Sequence, residues 1–320
     1  MRAFLTSPWI PAEWVRAHGV ETQGIWYAET FRHAALPRPA GTCAWAENVV
    51  QFAETSTDAA IIFSTACDQL RRGFDEAVFR GASRTFLFNL PATQSPAAKQ
   101  LYRSELERLS RFLCQLDGTA PAPEELRAEM AATNQARRAL SAAAPGADPH
   151  SFAGAIARFY SAGGFAPPLP AQPAGKVPLA IVGGPLSVPD WTVFDAIEAA
   201  GGWVALNATD TGERALCPAF GGLEDPLAAL AEGYFENMAD VFQRPNTRLY
   251  SWLQPRLLSR QVRGLVLWCF TGCDLWRAEM QTLRERFQLP VLLLEVDDVA
   301  GISPRDVTRL EAFVETLKQP

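Results

Sequence analysis

The sequence predicts an α/β protein built from two parallel-sheet units, and three observations carry that expectation. Apolar runs of strand length alternate with helical patterns along most of the chain. A stretch rich in Gly, Pro and Ala, from Ser161 to Pro178, interrupts the alternation and cannot sustain a helix or a central strand. At 320 residues the chain also exceeds the comfortable size of one core. The expected division is residues 1–165, an α/β unit with additional helical segments, and residues 176–320, a second α/β unit.

Taken in order, Trp9 to Gly19 reads as a short helix with Pro11 in its first turn and Gly19 after its last. An extended piece follows around Gly24 to Tyr27, and Thr42 is placed to cap a helix running to about Thr55. The first α/β unit then has strand Ala59 to Phe63, helix Cys67 to Phe79, strand Arg84 to Leu90 and a long helix from Ser95 to Leu116. Patterns at Pro123 to Leu140 and Pro149 to Tyr160 suggest a helical layer or cap. The second unit has strands Leu179 to Val182, Trp203 to Leu206, Leu265 to Trp268 and Val291 to Glu295. Helices at 189–200, 227–241, 247–260, 273–287 and 303–317 separate or follow them. Such alternation implies parallel sheets of the Rossmann or flavodoxin-like kind, with ligands bound where strands end.

Composition narrows the function classes. Apolar residues at 48%, charged residues at 20% and a net charge of -6 describe a soluble globular protein with no basic surface for nucleic acid. No segment reaches the apolar length that spans a bilayer, and the opening residues show no secretory apolar region, so a cytoplasmic location is expected. Six cysteines in a chain this long do not form a secreted disulfide framework. They are thiols or metal ligands. Cys114 lies inside a helical pattern and reads as core, whereas Cys217, before Pro218, fits either role.

One device occurs twice. Thr65-Ala66-Cys67-Asp68-Gln69-Leu70-Arg71 and Thr271-Gly272-Cys273-Asp274-Leu275-Trp276-Arg277 both read T-(A/G)-C-D-x-x-R, and both follow an apolar run of strand length. In each, the threonine is suited to cap a helix and the cysteine falls in the first turn, where unpaired N–H groups favour thiolate. Cys43 sits at a third helix start, with Glu47 one turn on along the same face. Three thiolates on three helix starts make a plausible cage for a soft metal or an iron–sulfur cluster, with one position left open for substrate. A pair of small buried residues is the plainer explanation of either cysteine alone. Compact ferredoxin spacing is absent.

With these residues in view, the chain resembles the 2-hydroxyacyl-CoA dehydratase and benzoyl-CoA reductase subunit family. Ile10-Pro11-Ala12-Glu13-Trp14 to His18-Gly19 is similar to the family's opening "P-E-E-L…A-x-G" helix, and Ser64 to Arg72 to its "T-x-C-D-x-x-R-R" turn. Phe86 to Pro91 resembles its strand ending in "L-P". Gly183-Gly184-Pro185-Leu186 through Gly201-Gly202 to Thr211-Gly212-Glu213-Arg214 resembles the start of its second half. Gly272-Cys273-Asp274 and Pro290 to Glu295 match the "F-C-D" turn and the "P-V-L-x-L-E" strand. The resemblance implies a [4Fe-4S] cluster in the cleft between the units, held by Cys43, Cys67 and Cys273, with the fourth iron position open. It further implies an oxygen-sensitive lyase or oxidoreductase in which one low-potential electron gives a ketyl radical on an acyl-CoA thioester. The implied partners are a related second subunit or a second copy in a homodimer, and a separate ATP-hydrolysing iron–sulfur activator.

Several residues carry open roles. Cys269 lies one turn before Cys273 and could sit beside the cluster or replace a ligand. Asp68 and Asp274 could bond first-turn N–H groups or act chemically. Arg71, Arg72 and Arg277 could neutralise cluster or CoA charge or pair with the nearby aspartates. Glu47 is a proton-transfer candidate, against a solvated carboxylate on a helix face. His18, His33 and His150 lack metal-ligand spacing for zinc. A non-catalytic electron-transfer or structural cluster subunit, and a cluster-free α/β small-molecule binder, are the competing functions.

Overall fold

Every strand pairing among the described residues is parallel, and the two sheets share one strand order. A computed structural model describes residues 1–28, 31, 41–165, 168–171, 176–221 and 224–318. His33 lies outside the described residues. Strands β1 (Arg2–Leu5), β2 (Glu21–Gly24), β3 (Ala59–Ser64) and β4 (Thr85–Phe88) form the first sheet in the order β2-β1-β3-β4. Strands β5 (Val177–Gly183), β6 (Gly202–Thr209), β7 (Gly264–Phe270) and β8 (Val291–Val296) form the second, in the order β6-β5-β7-β8. The second, first, third and fourth strands of each set thus lie side by side in the same sequence. In such a sheet the chain leaves the first strand on one side and returns on the other, opening a crevice between the first and third strands at their carboxyl ends.

The helices are α1 (Ala12–Ala17), α2 (Ala44–Thr55), α3 (Asp68–Phe79), α4 (Pro96–Gln115), α5 (Pro123–Ala143) and α6 (Pro149–Ala162) in the first half. In the second they are α7 (Thr192–Ala199), α8 (Pro226–Asn237), α9 (Thr247–Ser259), α10 (Asp274–Phe287) and α11 (Pro304–Lys318). Strands β3 and β7 are buried at every residue, as expected of third strands covered on both faces. Of two short strands, β1 was not expected, and β2 lies before the extended piece expected around Gly24 to Tyr27, where Ile25–Tyr27 form a 3₁₀ turn. β1 is a four-residue run whose Ala3, Phe4 and Leu5 are buried at the centre of the first sheet, and β2 is a polar edge strand. β4 ends at Phe88 because the next amides turn away from the ladder: Asn89 N donates to Glu105 and Leu90 N to Thr65 Oγ1. The helix expected over 189–200 is a 3₁₀ turn, Val188–Trp191, followed by α7.

The halves are joined by polar and apolar contacts. Tyr27 Oη donates to Thr211 O and Tyr160 Oη to Ala215 O, both at 3.1 Å. One hydrophobic cluster draws side chains from both sheets, including Phe4, Phe63, Ile181 and Trp268. A second packs α9 and α10 on the other face of the β5–β6–β7–β8 sheet.

Where β5 ends, the chain passes very close to β7. Gly183 has φ of +151°, and a Cβ there would lie 1.9 Å from the Trp268 carbonyl oxygen. Gly183→Ala should therefore cost roughly 3 kcal/mol or more of unfolding free energy. Chemical denaturation reads this, and a loss below about 1 kcal/mol would contradict the close approach.

Candidate functional site

The carboxyl ends of both sheets open into one pocket of about 200 Å³. From the first sheet, Thr6, Ser7 and Pro8 follow β1, Trp26 follows β2, and Ala66 to Leu70 follow β3. From the second, Gly184 and Pro185 follow β5, Asp210 follows β6, and Gly272 to Trp276 follow β7. Cys43 and Trp45 enter from the start of α2, and Asp240 and Val241 from the connection between α8 and α9. The two T-x-C-D turns occupy the same topological place in their sheets, after the third strand, beside the crevice.

Cys43, Cys67 and Cys273 all line this pocket, and each is itself the N-cap of its helix. The expectation that threonine caps these helices is corrected here. Thr65 lies two residues back, where its amide donates to Phe88 O and its hydroxyl accepts from Leu90 N, tying β3 to β4. Sulfur takes the place of the capping oxygen: Cys43 Sγ accepts from Ala46 N at 3.5 Å and Cys67 Sγ from Leu70 N at 3.4 Å. Cys43 N also donates to Gln69 Oε1 at 3.1 Å, which fixes the start of α2 against the start of α3.

Amide donors favour sulfur anions, but burial opposes them here. Burial pushes the Cys67 thiol far above its ordinary range, and Cys43 and Cys273 raise it further. The Cys273 thiol is pushed up to about 12, mainly by burial, with Cys43 and Asp210 adding to the effect. Among the described residues no three Cys, His, Asp or Glu side chains converge closely enough to hold a metal ion. Ligands on one zinc lie within about 4.6 Å of one another, twice a zinc–sulfur bond. A polynuclear cluster takes each thiolate on a different iron and accepts wider spacing. The three sulfurs of this pocket fit that second kind of group: they are soft donors from three separate helix starts, and none shares a turn with another.

The pocket walls are largely aromatic. Trp26, Trp45, Phe270 and Trp276 line it, and the rings of Trp45 and Phe270 bring the two halves together at 6.1 Å. Behind the wall lies Arg214, buried, with Trp276 stacked on its guanidinium at 4.5 Å. Arg214 donates to the Ala208, Ala239 and Gly183 carbonyls and to the carboxylates of Asp210 and Asp240. All five of its N–H groups are used. They bind together the ends of β5 and β6 and the connection after α8.

The other residues singled out from the sequence lie elsewhere or at the rim. Asp68 and Asp274 line the pocket mouth and are exposed; among the described residues neither carboxylate bonds a first-turn amide. Arg71, Arg72 and Arg277 are exposed and outside the lining, with Arg72 donating to Gly41 O and Arg277 paired with Glu295 rather than Asp274. Cys269 is fully buried on the face of β7 opposite Phe270, because side chains alternate along a strand. Glu47 is 1% exposed and not in the pocket wall; its Oε1 accepts from Arg80 and Gln51. Cys114, read as core, is exposed, while Cys217 is buried and donates to Gly233 O. Trp26, Trp45, Asp210 and Asp240 line the pocket without having been anticipated as site residues. Only Thr211 to Arg214, singled out as a motif, pointed towards that wall.

Residues 9–317 match the family described as 2-hydroxyglutaryl-CoA dehydratase, D-component. The chain belongs to this family. Membership places it among subunits of 2-hydroxyacyl-CoA dehydratase-like enzymes, a family of iron–sulfur-containing components that act with partner components. No curated protein matches the chain. A solved structure of an FpvC mutant from Pseudomonas aeruginosa is 14% identical over 100% of both chains, with a TM-score of 0.25, too low to carry any argument. Among the described residues no helix is long and apolar enough to cross a membrane.

The raised thiols have a measurable consequence. In metal-free protein at pH 8, iodoacetamide should modify Cys273 about 10³-fold more slowly than an ordinary thiol, because a thiol pushed up to about 12 holds that much less thiolate. Its rate should climb about tenfold per pH unit above pH 8, and exposed Cys114 should react first. Peptide mass spectrometry across pH 7 to 10 reads both, and equal rates for the two cysteines would contradict the shift.

Proposed function

We propose that this chain is the iron–sulfur subunit of a 2-hydroxyacyl-CoA dehydratase-like enzyme, with Cys43, Cys67 and Cys273 holding a [4Fe-4S] cluster in the pocket. The observation that carries the reading is the meeting of three cysteine N-caps, one from α2, one after β3 and one after β7, at a single pocket in a member of this family. Three thiolates would leave one of the four irons without a cysteine from this chain. When bound, such a cluster supplies single electrons of low potential, by which a 2-hydroxyacyl thioester can lose its hydroxyl and an otherwise non-acidic β-hydrogen.

The chain's own residues prepare the pocket for this. The positive ends of α2, α3 and α10 point at it and favour an anionic group. Trp26, Trp45, Phe270 and Trp276 keep water away and so strengthen every charge interaction inside. In this reading residues 1–165 and 176–320 act as two lobes sharing one cluster. A related second subunit or a second copy, together with an ATP-hydrolysing activator, completes the system in the cytoplasm.

Anaerobically prepared protein should be brown and contain iron, and Cys43→Ala, Cys67→Ala and Cys273→Ala should each lose most of it. Full iron retention in all three variants would sink the ligand assignment. With activator, ATP and partner subunit, the protein should convert 2-hydroxyglutaryl-CoA or another 2-hydroxyacyl-CoA to the enoyl-CoA, followed by mass spectrometry. Iron without turnover of any such thioester would point to an electron-transfer subunit instead.

A further inference from the structure

We propose that Asp210 is a further catalytic residue, the carboxyl group that takes a proton from the substrate in this pocket and returns it to the departing hydroxyl. The inference rests on the proposed function. Among the acidic residues at the pocket, Asp210 is set apart by its position. Asp68 and Asp274 are exposed at the first positions of α3 and α10. Asp240 has both oxygens engaged, Oδ1 by Phe242 N and Oδ2 by Arg214. Glu47 is outside the wall and bound by Arg80.

Asp210 has Oδ1 held by Arg214 and, among the described residues, no hydrogen bond to Oδ2. Its side chain is 22% exposed and lines the same pocket as Cys273. Arg214 spends its remaining donors on Asp240 and three backbone carbonyls, so the carboxyl is fixed by a guanidinium that cannot swing away. This is a half-buried, oriented acid with one oxygen left for a substrate proton. The charged and titratable groups facing it are Arg214 on its own loop, Asp240 on the connection after α8, and Cys273 at the start of α10. Burial, opposed by Arg214 and reinforced by Asp240, holds its carboxyl above the ordinary carboxylate range.

The step balances without an added oxidant or reductant. The β C–H bond breaks, its proton passes to Asp210 Oδ2 and its electron pair becomes the carbon–carbon double bond. The C2–O bond breaks with its electron pair leaving on the hydroxide, which takes the proton from Asp210 and departs as water. The carboxylate is regenerated, and the thioester has lost one water overall.

Asp210→Asn tests this in anaerobic, iron-loaded protein with partner and activator, using 2-hydroxyglutaryl-CoA. Expected are unchanged iron, a KM within about threefold of wild type, and a kcat lowered on the order of 10²–10⁴-fold. Exchange of the thioester's β-hydrogen with deuterated solvent should disappear. A kcat within about threefold of wild type would overturn the proposal. Should Asp210→Asn lose iron, Asp210→Glu is compared with it: iron and solvent exchange both restored support the carboxyl role, and iron restored without exchange overturns it. If wild type itself turns over no 2-hydroxyacyl thioester, the proposed function fails separately. Difference infrared spectra of carboxyl-13C-aspartate-labelled protein, with and without 2-hydroxyglutaryl-CoA, then decide on their own. A carboxyl band shifted by the thioester in wild type and missing in Asp210→Asn supports the contact; its absence in wild type overturns it.

Discussion

The buried ion pair between Arg137 and Glu13 holds the helices on which the pocket depends. Glu13 lies on α1, directly after β1; Arg137 is on α5; and Tyr234, bonded to both, is on α8 in the second half. The two charged side chains are 1% and 0% exposed. Taking two charges out of water is expensive, and removing one partner of such a pair typically costs about 3–5 kcal/mol. The cost is offset in part: Asn134 accepts a further Arg137 proton, and Tyr234 donates to the second carboxylate oxygen at 2.8 Å, while Arg137 Nε has no partner among the described residues. It ties the region following β1 to a helix from the other sheet, and so helps to keep two sets of carboxyl ends facing one space.

Given that facing, the chemistry of the site follows from strand order. In a β2-β1-β3-β4 sheet the crevice opens between the first and third strands, and the residue after the third strand is a helix start. Each sheet delivers one cysteine there, and α2 supplies another beside them. Helix ends contribute positive potential, aromatic rings remove water, and sulfur receives amide hydrogen bonds that a capping oxygen usually takes. Burial leaves the Cys67 and Cys273 thiols resistant to ionisation. Arg214 serves the second half as the buried pair serves the whole, joining three chain segments through one fully satisfied guanidinium.

Much of this was legible in local pattern. The runs at 59–63, 179–182 and 265–268 are apolar because those strands are covered on both faces, and strands so buried declare themselves without alternation. The repeated T-x-C-D turn was legible for the same reason: it follows the most buried strand of each sheet. β1 was not. Arg-Ala-Phe-Leu is too short to stand out, and it becomes a central strand only through neighbours 19 and 57 positions away, Arg2 pairing in register with Glu21 on one side and Ala59 on the other. Cap identity was misplaced by two residues because threonine is the better capping residue in isolation, yet Thr65 is drawn off to bridge β3 and β4.

Side-chain direction is where local pattern stopped. Cys269 and Cys273 are one helical turn apart in sequence, but the first belongs to a strand and faces away from the pocket, whereas the second begins the next helix. Glu47 shares a helix face with Cys43, yet Arg80 lies within reach and draws its carboxylate off the pocket. Periodicity and turn chemistry were enough to specify the alternating elements, the three cysteines and their helix starts, since these depend on residues within a few positions. The pocket's acidic wall was decided by tertiary structure alone. Asp210, Asp240 and Arg214 come together across loops that have no shared pattern, and a buried charge network is visible only when its partners are brought to one place.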